Sequence, residues 1–123
     1  MGESARFSIR ARMKSFKYAF SGIKLFFITE HNGRIHLFAA VLAIGLSVYL
    51  QLSSLEWIAI LTVVATVFIA EIVNSSIEKL ADFVSPEIHP KIKIVKDLAA
   101  AAVLVAAFLA LAVGGVVFLP KLF

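Results

Sequence analysis

This sequence has no cysteine, which excludes disulfides, thiolate nucleophiles and cysteine metal sites. It is short of charge as well: only 16% of its residues are Asp, Glu, Lys or Arg, against roughly 25% in a soluble domain. It contains no GxxxxGK[ST] loop, no kinase-type glycine-rich loop and no GxSxG elbow, so any nucleotide site has to be improvised from helices. At 123 residues, 61% of them hydrophobic, the chain is one domain at most and falls in the membrane class. Its net charge of +4 is accompanied by no nucleic-acid-binding motif. The bases are distributed by side of the membrane, and an anionic lipid surface is their natural partner.

An all-α integral membrane fold follows from the periodicity. In residues 6–28, Ile9, Met13, Phe16, Phe20, Ile23 and Phe27 recur in a four-three alternation that lines up one helix face. Arg6, Arg10, Lys14, Lys17 and Lys24 repeat the alternation opposite them, which predicts an N-terminal amphipathic helix lying in the headgroup region. Its apolar block Leu25 to Ile28 is too short for a signal-peptide core, so the helix is expected in the mature protein. After polar punctuation at 29–34 come three predicted transmembrane helices, over 35–52, 55–83 and 91–119. The short connector Ser53-Ser54 makes the second antiparallel to the first, and Pro90 suits the start of the third. Every base but Lys121 falls on one side of these spans, which the positive-inside rule makes cytoplasmic. The expected location is the inner (cytoplasmic) membrane, with the N-terminus facing the cytosol. Alanines at 99–102, 106, 107 and 110 supply small residues for close helix packing.

Polar chemistry concentrates in the stretch from Glu71 to Asp97. Glu71, Asn74, Ser75, Glu78 and Asp82 stand at i, i+3, i+4, i+7 and i+11, one stripe along one helix face. If Trp57 marks one interface and the hydrocarbon is about 30 Å thick, Glu71 lies inside it, Glu78 at the far boundary and Asp82 in water. A carboxylate at the depth of Glu71 costs up to about 3 kcal/mol on insertion scales, which makes it a functional-site candidate by default. Glu78 is balanced between a functional role and capping by a neighbouring helix, and Asn74 between a site role and interhelical glue. Lys96 taken alone reads as positive-inside flanking. Glu30, Glu78 and Asp97 all fall at the cytoplasmic boundary, where hard carboxylate oxygens suit Mg²⁺. His31, His36 and His89 read as interfacial residues, since no two are spaced i, i+4.

The blocks EIVNSSIE, VSPEIHPKIKIVKDLAAAAVLV and FKYAFSGIKLFFITEHNGRIHL resemble the prokaryotic diacylglycerol kinase family, most closely its undecaprenol kinase branch. The resemblance runs from Phe16 to Lys121 and implies a homotrimer of three-span subunits, each with a surface helix. It also implies transfer of the γ-phosphoryl group of Mg-ATP to a membrane lipid alcohol, undecaprenol or diacylglycerol. Carried over by position, Glu71 resembles the catalytic base and Glu30 and Glu78 the metal-binding carboxylates. By the same matching Asn74, Lys96 and Asp97 form the remaining polar site, Tyr18 and Lys24 lie near the nucleotide, and Asp82 lies at its edge. Three positions depart from the family pattern: Asn-Ser-Ser stands for the commoner Asn-Thr-Ala, Ala101 for a frequent glycine, and Gly33 for a frequent aromatic.

Phosphoryl transfer asks mainly for positioning and charge neutralisation, and the stripe has a deep base with shallower metal and nucleotide ligands. A site between subunits, also implied by the resemblance, would draw Glu30 from one chain and the stripe from the next. The rival reading from another class is a proton- or ion-relay subunit built on Glu71 and Glu78, which polar groups spread through the whole bilayer would favour. A purely structural assembly protein is a third.

Overall fold

A computed structural model describes residues 8–123 and contains four helices: α1 (Ile9–Thr29), α2 (His31–Tyr49), α3 (Ser54–Val84) and α4 (Pro90–Leu122). Arg6, assigned to the basic face of the first helix, lies outside the described residues. Ser8 caps α1, its hydroxyl accepting from the Ala11 N–H at 3.3 Å. Only Glu30, in an extended conformation, separates α1 from α2. The polar punctuation expected over 29–34 is therefore a one-residue break, because the backbone regains helical hydrogen bonding at once beyond Glu30.

The first span also ends earlier than expected. Leu50 to Leu52 form a turn and not the last residues of the helix, because Gln51 takes a left-handed conformation (φ 54°) that reverses the chain. Ser53 then opens α3 with a capping box: the Glu56 N–H donates to its hydroxyl at 3.2 Å, and its own N–H donates to the Glu56 carboxylate at 2.9 Å. At the next connection, Pro90 takes the first position of α4, where no N–H is needed, and His89 Nδ1 accepts from the Lys91 N–H at 3.1 Å. Pro120 does not stop α4, whose last turn closes with the Phe123 N–H on the Leu119 carbonyl.

Three of the helices, α2, α3 and α4, are long and apolar enough to cross a membrane. At 31 and 33 residues α3 and α4 run about 46 and 50 Å, longer than the roughly 30 Å of hydrocarbon, so their ends project. They pair as an antiparallel hairpin around Leu52, Ile60 and Val117. Lys121 Nζ lies 3.2 Å from the Glu56 carboxylate, closing the end of that hairpin remote from Glu71. α2 packs on α3, and α1 rests against the α2–α3 corner. No more than 28% of the apolar window of any span is buried by the chain itself, so most of the apolar surface is left for lipid or for further copies. The chain is a multi-pass membrane protein.

Candidate active site

On α3 the polar stripe emerges with a gradient of exposure. Glu71 and Ser75 are 6% and 8% exposed, Asn74 and Glu78 half-buried, and Asp82 exposed. The gradient is one of packing: Glu71 and Ser75 face the α2 side, where His36 and Glu30 lie against them, whereas Asp82 lies beyond those neighbours. From Ser54 to Glu71 the helix rises about 26 Å, which leaves Glu71 just inside an apolar layer spanned by α3.

Glu71 meets a histidine. His36 on α2 places Nε2 2.9 Å from Glu71 Oε1, and its ring is 28% exposed. The reading of His36 as an interfacial residue misses this contact. No periodicity within α2 announces it; the available signal is a lone histidine inside an otherwise apolar span. His36 also lines a cleft of about 440 Å³ among α2, α3 and α4, where it is the sole polar side chain among walls that include Ala40, Val67, Ala107 and Gly114.

A second group forms where α1 turns into α2. Ser75 donates to Glu30 Oε1 at 2.6 Å, and Lys79 Nζ reaches the same oxygen at 2.5 Å and Ser75 Oγ at 3.0 Å. The Lys79 hydrogen bond, assisted by Ser75 and partly offset by desolvation, lowers the Glu30 carboxyl below its ordinary value. Lys79 entered the sequence reading only as a positive-inside base. Ser75 is one of the departures from the family pattern, and its hydroxyl is what reaches Glu30. Gly33, another departure, lies under the ring of Phe26: a Cβ there would stand 2.7 Å from Phe26 Cε2. Phe26 is 4% exposed, yet it belongs to neither face of the predicted amphipathic helix. An aromatic ring thus does fill this corner, but α1 supplies it. Beside the corner, a second cleft of about 440 Å³ between α1 and α3 is lined by Gly22, Phe26, Ser75, Ser76 and Lys79.

The remaining expected residues are placed as follows. Asn74 Nδ2 donates to Glu78 Oε1 at 3.2 Å, while Asn74 Oδ1 is buried with no partner among the described residues. Lys96 pairs with Asp82 across the α3–α4 hairpin, and Lys93 Nζ pairs with Asp97 at 2.6 Å along α4. Tyr18 and Lys24 are exposed on α1. Within the single chain, Glu30 lies with Ser75 and Lys79, Glu78 with Asn74 and Asp97 with Lys93, and among the described residues no three His, Asp or Glu side chains form a metal-binding group. The one-residue break between α1 and α2 delivers Glu30 to Ser75 of its own α3.

Hard oxygen donors are nevertheless present one turn apart on α3. The Glu78 carboxylate and the orphaned Asn74 carbonyl oxygen fit Mg²⁺, an ion bound through one or two carboxylates together with phosphate oxygens and water.

Comparison with known proteins gives this arrangement a family. The sequence model of prokaryotic diacylglycerol kinase matches residues 17–118. A diacylglycerol kinase of Synechocystis sp. is 38% identical over 109 residues, 88% of this chain and 62% of the relative's length. An undecaprenol kinase of Bacillus subtilis is 37% identical over 109 residues, 89% of each chain. The diacylglycerol kinase of Escherichia coli is 31% identical over 98 residues, 80% of each. With a family match across nearly the whole chain, this protein belongs to the prokaryotic diacylglycerol kinase family, a family of lipid kinases.

Proposed function

We propose that this chain transfers the γ-phosphoryl group of ATP to the hydroxyl of a membrane lipid alcohol, undecaprenol or diacylglycerol, at the cytoplasmic boundary of the inner membrane. The observation that carries the reading is a buried carboxylate, Glu71, one turn below a band of nucleotide-compatible polar groups and above an apolar cleft. The two most similar relatives named above differ by one percentage point in identity and bear different lipid names, so identity does not choose the lipid.

Glu71 acts as general base, taking the proton from the lipid hydroxyl as its oxygen attacks the γ-phosphorus. Burial suits it to this, because the hydroxyl of a membrane lipid is presented at the depth where Glu71 sits. The lipid's hydrocarbon chain lies along the apolar cleft among α2, α3 and α4. ATP approaches from the α1 side, where the cleft beside Ser75, Ser76 and Lys79 and the exposed Tyr18 and Lys24 offer contacts. Glu30, once released from Lys79, and Glu78, with Asn74 Oδ1, would hold Mg²⁺, which would supply neutralisation of the phosphate charge. Lys96, paired with Asp82 and followed in sequence by Asp97, would exchange its carboxylate partner for phosphate.

The functional unit is a homotrimer, with each site at a subunit boundary. The largely uncovered spans support this, since a neighbouring copy would cover apolar surface that the chain itself leaves open. The amphipathic α1 rests on an anionic lipid surface: Ile9, Met13, Phe16 and Phe20 are each at least 67% exposed within the chain, an apolar row left for the bilayer. Along α3 and α4 a relay role has no titrating groups to carry it through the membrane, because α3 holds no ionisable side chain between Glu56 and Glu71 and α4 none between Asp97 and Lys121.

The test is transfer of labelled γ-phosphate from ATP to undecaprenol and to diacylglycerol by the purified protein in micelles. Labelled lipid phosphate is expected with Mg²⁺ and not with EDTA; no labelled product from either lipid would refute the assignment.

A further inference from the structure

Glu71 is held by a group from another helix. A carboxylate has only acceptors, so an ionised Glu71 bonded to His36 requires the proton on His36 Nε2. The bond engages Oε1 at 2.9 Å and joins α3 to α2 at the apolar end of the stripe. Without it, the Glu71 side chain has several rotatable torsions, and its carboxylate loses its one hydrogen bond among the described residues. His36 is thus placed to decide where the carboxylate points, and it does so from the wall of the cleft.

We propose that His36 is a positioning residue for phosphoryl transfer: its Nε2–H fixes Glu71 Oε1, leaving Glu71 Oε2 as the oxygen that receives the lipid proton. This deepens the reading above and rests on Glu71 being the base. In the step, the lipid O–H bond breaks and its proton goes to Oε2. The lipid oxygen bonds to the γ-phosphorus, and the bond from the γ-phosphorus to the β–γ bridging oxygen breaks, releasing ADP. His36 exchanges no proton, so a neutral N–H donor at the same reach is sufficient. That separates it from a base, a metal ligand and a packing residue.

Variants of the full chain in micelles, assayed with Mg-ATP and undecaprenol or diacylglycerol, test this. His36→Gln retains an N–H donor of similar reach and should keep kcat within about 3-fold of the parent, whereas His36→Leu retains bulk alone. His36→Leu should lower kcat by about 10- to 100-fold, the range expected when a reacting group is misplaced, with KM for ATP unchanged. His36→Asn, an amide too short to reach Glu71, should share that loss and stands in if the leucine variant does not fold. Parent-like kcat in the leucine or asparagine variant, equal loss in the glutamine and leucine variants, or an effect on KM alone would each overturn the proposal. Glu71→Gln is measured alongside. If it stays active, the base reading fails; if it is inactive while His36→Leu turns over normally, only the role of His36 fails.

Discussion

Replacing Gly33 by alanine probes the corner on which Glu30 depends. The added Cβ would lie 2.7 Å from Phe26 Cε2 and 2.9 Å from Cζ, and ordinary contact begins at 3.4 Å, so the ring has to retreat by 0.7 Å. It has little room to do so. Phe26 packs edge-on to Phe27 at 5.2 Å between centroids, Phe27 packs on Phe68 of α3 at 5.8 Å, and α1 and α2 are joined through the single residue Glu30. Overpacking of this kind costs about 1–3 kcal/mol, and here it acts by levering α1 away from the α2–α3 corner. Thermal unfolding in micelles should register the loss, and amide exchange should rise in the last turns of α1. Phe26→Leu removes the two closest atoms, Cε2 and Cζ, and leaves only Cδ2, at 3.2 Å, so the double variant Gly33→Ala/Phe26→Leu should be more stable than the sum of the single effects predicts, with a coupling of about 1 kcal/mol or more. Strict additivity, or a Gly33→Ala protein as stable as the parent, would refute the packing argument.

Glu71→Gln preserves shape and an acceptor for His36 but removes the base; kcat should fall by about 10²- to 10⁴-fold while calorimetric binding of Mg-ATP stays near the parent value. Equal losses in both would make Glu71 a metal ligand. Glu30→Gln and Glu78→Gln should each raise the Mg²⁺ concentration needed for half-maximal activity, because an amide offers only a neutral oxygen; saturation at the parent concentration in both would remove the metal assignment. Lys79→Met should shift the Glu30 titration, followed by ¹³C NMR of labelled glutamate, to higher pH. In the parent the lowered carboxyl makes its tie to α3 stabilising above the ordinary Glu range, and the tie is lost as pH falls through the folded value, so an unmoved midpoint would refute the role of Lys79. Co-assembled Glu30→Gln and Glu71→Gln subunits should remain inactive together, since Glu30 meets the stripe of its own chain; recovered activity would show that the two carboxylates act from different subunits.

By itself the sequence determined the number and type of helices, the three apolar spans and the polar stripe, because these depend on hydropathy and on the 3.6-residue period within one helix. The order of Glu71, Glu78 and Asp82 along α3 was legible for the same reason, since position along a helix is residue count times rise, whereas the burial of Glu71 against α2 was not. What only the tertiary structure decided is which side chains meet across helices. His36 and Glu71 are 35 residues apart, Ser75 and Glu30 are 45 apart, and neither pair shares a periodicity. Such contacts depend on how each helix is rotated about its own axis and where the axes cross. Those quantities are set by the joint packing of Phe26 on Gly33 and of α2 on α3, and the pattern of any single helix is silent about them. The helix boundaries near Glu30 and Gln51 escaped for a related reason, since one extended residue and one left-handed residue are enough to redirect the chain and leave no mark on hydropathy.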